Sequence, residues 1–328
     1  MKLLIRIAIN TAIGIVLVFV WLHFVNLGQI IQTLKTVKLN YVTLFFGFFI
    51  LSTCFRALRL KILLEGYRIP LLRLIFLNFL SQFLSFTIPI RAGEITKSVY
   101  LSTQLSQPIA KTLIWVLIDR FLDFWINILL LSLLILIVPI NIGSQFRVII
   151  FAALIIFSLL TMIMINSSIF SKQLISFTSH FFIFKRVKKI FLSLAEAILE
   201  GFSILKRTPQ ELALLLFVSA LAAISDSLIW FFVFLSFGVK ISSLKLLLGS
   251  LFSALTFLIP AAPGYIGSAE ASGLAVFSGI LGLDPNIASA AAVLAHILTI
   301  LALPIFGIIS LYLLKFDLKL VWKKLTKK

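Results

Sequence analysis

Long apolar runs separated by short polar stretches divide this chain, and six of them reach the roughly 20 residues that carry a helix across a bilayer. They lie at about 5–25, 40–64, 111–138, 146–166, 211–237 and 286–313. Two of the helix starts are marked. Thr208-Pro209-x-Glu211 supplies a cap, a first-turn proline and a capping-box acid, and Asp284-Pro285 opens the last run in the same way. Between the second and third runs, and again between the fifth and sixth, residues 72–106 and 244–283 are apolar but interrupted by Pro and Gly. Each is either a re-entrant hairpin or a broken helix that crosses fully. The pattern predicts an all-α polytopic membrane protein with about six transmembrane helices plus two re-entrant hairpins, or eight spans if the hairpins cross.

The two interruptions resemble each other. Phe86-Thr87-Ile88-Pro89-Ile90-Arg91-Ala92-Gly93-Glu94 is matched 171 residues on by a segment from Phe257 to Glu270 containing Pro260, Pro263, Gly264 and Gly267. Their flanks keep register. Gly66 precedes Pro89 by 23 residues and Gly238 precedes Pro260 by 22, while Glu94 precedes Asp119 by 25 and Glu270 precedes His296 by 26. The reading is one membrane domain over residues 1–328, with a first repeat at about 1–138 and a second at about 146–313. Duplicated breaks in inverted units, each ending in a carboxylate, are a plan by which transporters meet a substrate near the bilayer midplane. The competing explanation is chance recurrence of Pro and Gly in a chain rich in Leu and Phe.

Composition fixes the broad class. Hydrophobic residues make up 61% of the chain, including 33 Phe, and the mean hydropathy is +1.18, which leaves only an integral membrane protein. The run from Leu3 to Leu27 is too long for a signal-peptide core and lacks a small-residue cleavage site, so it reads as a retained anchor. A single cysteine, Cys54, excludes an internal disulfide, and no Cys/His spacing suggests a metal or other cofactor. The net charge of +18 reports topology, not nucleic acid. Twenty Lys and Arg fall on one side of the drawn spans, in the clusters 2–6, 56–73, 172–207 and 315–328, against five (Lys35, Lys38, Arg147, Lys240, Lys245) on the other. By the positive-inside bias the clusters and both termini are cytoplasmic, in a multi-pass protein of the cell (inner or plasma) membrane. The first unit then enters its hairpin from the cytoplasm and the second from outside, so the two are inverted. Residues 170–209 form a basic amphipathic segment on the cytoplasmic leaflet, and 315–328 a basic tail.

Charge inside the bilayer is costly, about 2.5–3.5 kcal/mol for each Asp or Arg near a helix centre, so such residues face a cavity or a partner. Of 11 acids, five (Glu94, Asp119, Asp123, Asp226, Glu270) sit at membrane depth in this reading. Arg91 is the first choice for an anionic headgroup, because guanidinium matches phosphate bidentately, with Lys97 as a supporting point charge. Its alternative is to pair with Glu94, Asp119 or Asp123 and fix the hairpin. Asp119, Arg120, Asp123 and Glu270 complete the expected substrate path. Arg120 reaches Asp123 one turn on, and the Gly-rich surroundings of Glu270 offer backbone N–H groups. Glu94, Asp226, Glu270 and His296 are candidates for proton coupling, weighed against plain hydrogen-bonded packing for His296 and a local interhelical contact for Asp226. Arg56 and Arg59 are expected to snorkel to phosphates at the cytoplasmic interface. Pro89, Gly93, Pro260, Pro263, Gly264 and Gly267 form the hairpin breaks.

Four motifs in order, Arg56-x-x-Arg59, Pro89-x-Arg91-Ala92-Gly93-Glu94, Asp119-Arg120-x-x-Asp123 and Pro260-x-x-Pro263-Gly264-x-x-Gly267-x-x-Glu270, resemble the lysylphosphatidylglycerol synthase transmembrane, or flippase-like, integral membrane family. The resemblance covers nearly the whole chain. It implies handling of amphiphilic lipids across the bilayer, as in the membrane half of the multiple peptide resistance factor. There a soluble aminoacyltransferase domain follows; this chain stops at Lys328 after a short basic tail, so the synthase activity is not carried over and no catalytic residue is expected. The expected function is a flippase-like transporter of an anionic or phosphate-bearing lipid, with membrane lipids as partners. Two alternatives stand beside it: a small-solute or ion secondary transporter, and an accessory subunit partnering a lipid- or glycan-modifying membrane enzyme.

Overall fold

A computed structural model describes residues 2–88, 92–140, 143–166, 173, 192, 208–256 and 262–317, and all regular structure among them is helical. The basic segment at 172–207 lies largely outside the described residues, as do the tail beyond 317 and, at the two breaks, Pro89, Ile90, Arg91 and 257–261. The chain runs α1 (Lys2–Phe24), α2 (Leu27–Lys35), α3 (Leu39–Leu63), α4 (Leu71–Thr87), α5 (Ala92–Leu105), α6 (Ile109–Ile137), α7 (Ser144–Asn166), α8 (Pro209–Ser236), α9 (Ser243–Thr256), a 3-10 turn (Pro263–Tyr265), α10 (Ser268–Gly273), a π-helical segment (Leu274–Ile280) and α11 (Pro285–Leu313). Four helices, α3, α6, α8 and α11, are long and apolar enough to cross a membrane. Helices α1 and α2 meet at an 86° bend. The two apolar stretches between long helices are each broken in two, as expected, into α4 and α5 and into α9 and the short elements from Pro263 to Ile280.

Local chemistry explains the boundaries. At the start of α8, Thr208 Oγ1 accepts from the Glu211 N–H (3.3 Å) and Glu211 Oε2 accepts from the Thr208 N–H (3.1 Å), with Pro209 in the first turn. Asp284 caps α11 by accepting from the N–H groups of Asn286 and Ile287, both at 3.0 Å. Both caps satisfy donors that no carbonyl one turn back can reach. Helices α3 and α8 stop alike. Gly66 (φ +86°) and Gly238 (φ +78°) follow their last turns in the left-handed conformation that lets the chain reverse.

Packing sets small residues against each other, as it must where lipid supplies no hydrophobic drive. Helices α3 and α8 share the longest contact, lined by buried Ser52, Thr53 and Ala57 on one side and Ser219, Ala222 and Ser227 on the other. Helix α4 packs on α11, and α9 packs on α6. Phe79 of α4 stacks on Phe306 of α11 at 4.7 Å, and Gly307 leaves room for the Phe83 ring. Helix α1 leans on the second break: a β-carbon at Gly267 would overlap the Gly14 carbonyl oxygen. Trp21 Nε1 donates to Ser289 Oγ (3.0 Å), tying α1 to α11 as well.

The closest approach near the first break is made by Gly93. A β-carbon there would overlap the Ser81 carbonyl oxygen and Ser85 Oγ of α4, whereas one at Gly47, on the exposed side of α3, would meet nothing. Gly93→Ala is expected to destabilise the protein by about 1–3 kcal/mol through overpacking. Gly47→Ala is expected to be neutral or to gain up to about 1 kcal/mol of helix propensity. Equilibrium unfolding in mixed micelles checks both.

Candidate functional site

At the centre of the helical assembly lies a network of ion pairs contributed by α3, α5, α6 and α8. Arg59, wholly buried, donates from Nε to Asp119 Oδ1 (2.8 Å), from Nη1 to Asp123 Oδ1 (2.6 Å) and from Nη1 to Ser219 Oγ (3.1 Å). Lys97 Nζ approaches the other Asp119 oxygen at 3.3 Å, so that a fully buried carboxylate bridges two buried cations. Arg56, one turn back on α3, holds Asp226 of α8 through Nη2 (2.5 Å), reaches Asp123 at 3.6 Å and donates to Ser52 Oγ, which itself bonds Asp226 Oδ1 at 2.5 Å. Arg120 spans Glu94 (3.4 Å) and Asp123 (3.6 Å). Four cations thus face four carboxylates. Isolated, each buried ion would cost several kcal/mol; together they satisfy one another.

The network is graded from inside out. Arg59, Lys97 and Asp119 are sealed, while the side chains of Arg120 and Asp226 are 33% and 38% exposed. An incoming charged group therefore meets Asp226, Arg120 and the partly exposed Arg56, Asp123 and Glu94 before it meets the sealed core.

A second cluster stands at the other break. His296 of α11 has Nδ1 at 2.6 Å from Glu270 Oε1 and Nε2 at 2.6 Å from the Gly264 carbonyl oxygen. Glu270 Oε2 accepts from the Gly267 N–H (2.9 Å), closing the turn ahead of α10. Gly264 (φ +70°) and Gly267 (φ +80°) hold the backbone in the left-handed region that presents these groups inward. Phe86, the last ring before the first break, lies 5.9 Å from Tyr265 and 6.2 Å from His296, so the flank of one break touches the other.

Arg56 and Arg59 do not snorkel to the interface. Both turn into the protein, because Asp119, Asp123 and Asp226 on neighbouring helices satisfy them and the interface offers no stronger partner. Lys97 likewise is locked against Asp119 and, as placed, has no free face for a headgroup. Arg91, Pro89 and Pro260 lie outside the described residues; Pro263, Gly264, Gly267 and Gly93 stand at the turns described above. Asp226 makes its contacts to α3, not to Ser225 or Ser227 beside it. Sequence reasoning missed Ser52 and Ser219, which complete the hydrogen bonding of the guanidinium groups; a serine in an apolar helix is too common to stand out.

A model of the lysylphosphatidylglycerol synthase TM region matches residues 6–307, which takes in every helix from α2 to α10 and nearly all of α1 and α11. The chain belongs to that family. It is an integral membrane member, and the matched stretch contains both breaks and all the ion pairs just described. No curated protein matches the chain.

Removing a sealed carboxylate strands two cations. Asp119→Asn is expected to cost about 3–5 kcal/mol, since Arg59 and Lys97 lose their shared partner in a site without water. Asp226→Asn is expected to cost at most about 1 kcal/mol, because Arg56 keeps Asp123 and the site is partly solvated. Unfolding midpoints of the two purified variants in mixed micelles give the comparison.

Proposed function

We propose that this protein moves a phosphate-bearing amphiphilic lipid between leaflets, carrying the headgroup past the two breaks while the acyl chains stay in the bilayer. The observation that carries the reading is a pair of equivalent contacts. The carboxylate just after each break is held by a cation 26 residues on, on the next long helix: Glu94 by Arg120, and Glu270 by His296. The packing repeats in the same sense. Helix α3 lies on its counterpart α8, and α4 on α11 mirrors α9 on α6, which is the exchange expected of two inverted units about a shared axis. In this arrangement α4 with α5, and α9 with the elements to Ile280, are re-entrant hairpins that meet through Phe86, Gly264 and Tyr265.

Membership of a family named for lysylphosphatidylglycerol synthesis supports a lipid as the cargo. The graded network supports the route: Asp226, Arg120 and Arg56 offer both signs of charge at membrane depth to an arriving headgroup. Arg91, between the last described residue of α4 and the start of α5, supplies the fork for the phosphate, and Glu94 changes partner as the hairpin moves. Rocking of one unit against the other then alternates access, with the sealed Arg59–Asp119–Lys97 core as the part that does not open. No covalent chemistry is required. The basic clusters and both termini face the cytoplasm of a cell whose inner or plasma membrane holds the protein, and anionic lipids there are its natural surroundings.

The test is headgroup-accessible flipping of labelled lipids in proteoliposomes, with anionic, zwitterionic and aminoacylated headgroups compared. Wild type is expected to flip at least one of them, and Arg91→Ala and Glu94→Gln are expected to lose about tenfold or more of that rate while remaining folded. Wild type that flips none of them, or variants that flip like wild type, contradict the assignment.

A further inference from the structure

The Glu270–His296 cluster has a property the lipid route does not use. A carbonyl oxygen only accepts hydrogen bonds, so the 2.6 Å contact between Gly264 O and His296 Nε2 assigns a proton to Nε2. The other ring nitrogen then faces Glu270 Oε1 at 2.6 Å, a separation that needs a proton between the two atoms, on Nδ1 or on the carboxyl group. With that proton present, Glu270 is anchored to α11 by Oε1 and to the break by Oε2, through the Gly267 N–H. Without it, a ring lone pair and a carboxylate oxygen confront each other at hydrogen-bond distance. The contact must then lengthen, and the turn from Gly264 to Gly267 loses its tie to α11.

We infer that Glu270 and His296 form a single-proton binding site whose occupancy latches the second break onto α11. The proton leaves from the Nδ1···Oε1 contact to water, while the Nε2–H bond to Gly264 needs no change of protonation. No bond between heavy atoms forms or breaks. Both residues are partly buried, at 7% and 15% side-chain exposure, so the site is shielded yet within reach of water. The polar partners of the pair among the described residues are the Gly264 carbonyl and the Gly267 N–H. The neighbouring elements bring Tyr265 from the 3-10 turn, Arg73 from α4, where it is engaged with Gln104, Asp226 from α8, where it is held by Arg56, Lys245 from α9, Lys35 from α2 and His23 from α1. None of these six is an ion-pair partner of Glu270 or His296. The site stands on this geometry and requires nothing of the transported molecule.

The experiment uses the full chain with isotope-labelled histidine in phospholipid nanodiscs, following ring nitrogen signals and amide exchange against pH. The chain has three histidines, and His23→Gln and His180→Gln assign the His296 signal without disturbing the cluster. The expected result is one protonation step for His296 between roughly pH 5 and 9, displaced by about one unit or more in Glu270→Gln. Through that step the exchange of the Gly267 amide, corrected for its intrinsic pH dependence, rises tenfold or more in wild type. In His296→Gln that exchange ignores pH. A His296 ring that keeps its protonation across the range, or a Gly267 amide whose protection does not follow the step, overturns the proposal. Neither readout involves lipid flipping, so failure here and failure of the lipid assignment are separate results.

Discussion

A bilayer offers no water to an ion, and that constraint governs how these helices meet. Each of the five carboxylates at membrane depth is answered by a cation on another helix: Asp119 and Asp123 by Arg59, Asp226 by Arg56, Glu94 by Arg120 and Glu270 by His296. Because an unpaired buried charge is so unfavourable, these contacts dictate neighbours as strictly as apolar packing does. Helix α3 is bound to α6 and α8, α5 to α6, and α10 to α11. The apolar clusters then fill in around a frame whose register the charges have set. Leu131, Ile135, Leu246, Leu251 and Phe277 pack where α6 meets α9, and Leu74, Leu77, Leu80 and Trp115 pack around the first hairpin.

The frame divides into parts of unequal freedom. Around Arg59 the pairs are sealed and mutually dependent, so loosening one strands two others. At the breaks, by contrast, each carboxylate has a single cationic partner and its backbone tie runs through glycine. Gly93 permits α5 to lie against α4 with no side chain between, and Gly267 does the same for α10 against α1. Close glycine contacts let elements slide without rotamer changes, and single ion pairs exchange partners more readily than networks do. The proposed movement is therefore assigned to the breaks and the immobile part to the α3–α6–α8 core, with the aromatic contact of Phe86 on Tyr265 as the place where one hairpin senses the other.

Much of this was legible along the chain. Hydropathy located the long helices, since α3, α6, α8 and α11 fall within a few residues of their expected limits. Proline, glycine and capping residues located the breaks and the starts of α8 and α11 for purely local reasons. The partners of the charges were not legible. Arg56 and Asp226 are 170 residues apart and Arg59 and Asp119 are 60 apart, and only the azimuth of each helix in the assembled bundle brings them together. For that reason Arg56 and Arg59 read as interface residues: sequence position gives depth, not direction. The register of the repeat was blurred for the same reason. Matching Glu94 to Asp119 left it one residue out, and the match closes once Arg120 is seen to be the group that Glu94 faces.

The central claim is that a lipid headgroup passes between the two breaks, and its most direct measurement is photocrosslinking. A phospholipid carrying the photoreactive group in its headgroup is irradiated in nanodiscs with the protein, and the adducts are mapped by mass spectrometry. The account predicts adducts at residues 86–94, at 262–270 and beside Arg120 and Asp226, competed away by unlabelled lipid. Adducts confined to the outward faces of α1 and α7, with both breaks unlabelled, would contradict it.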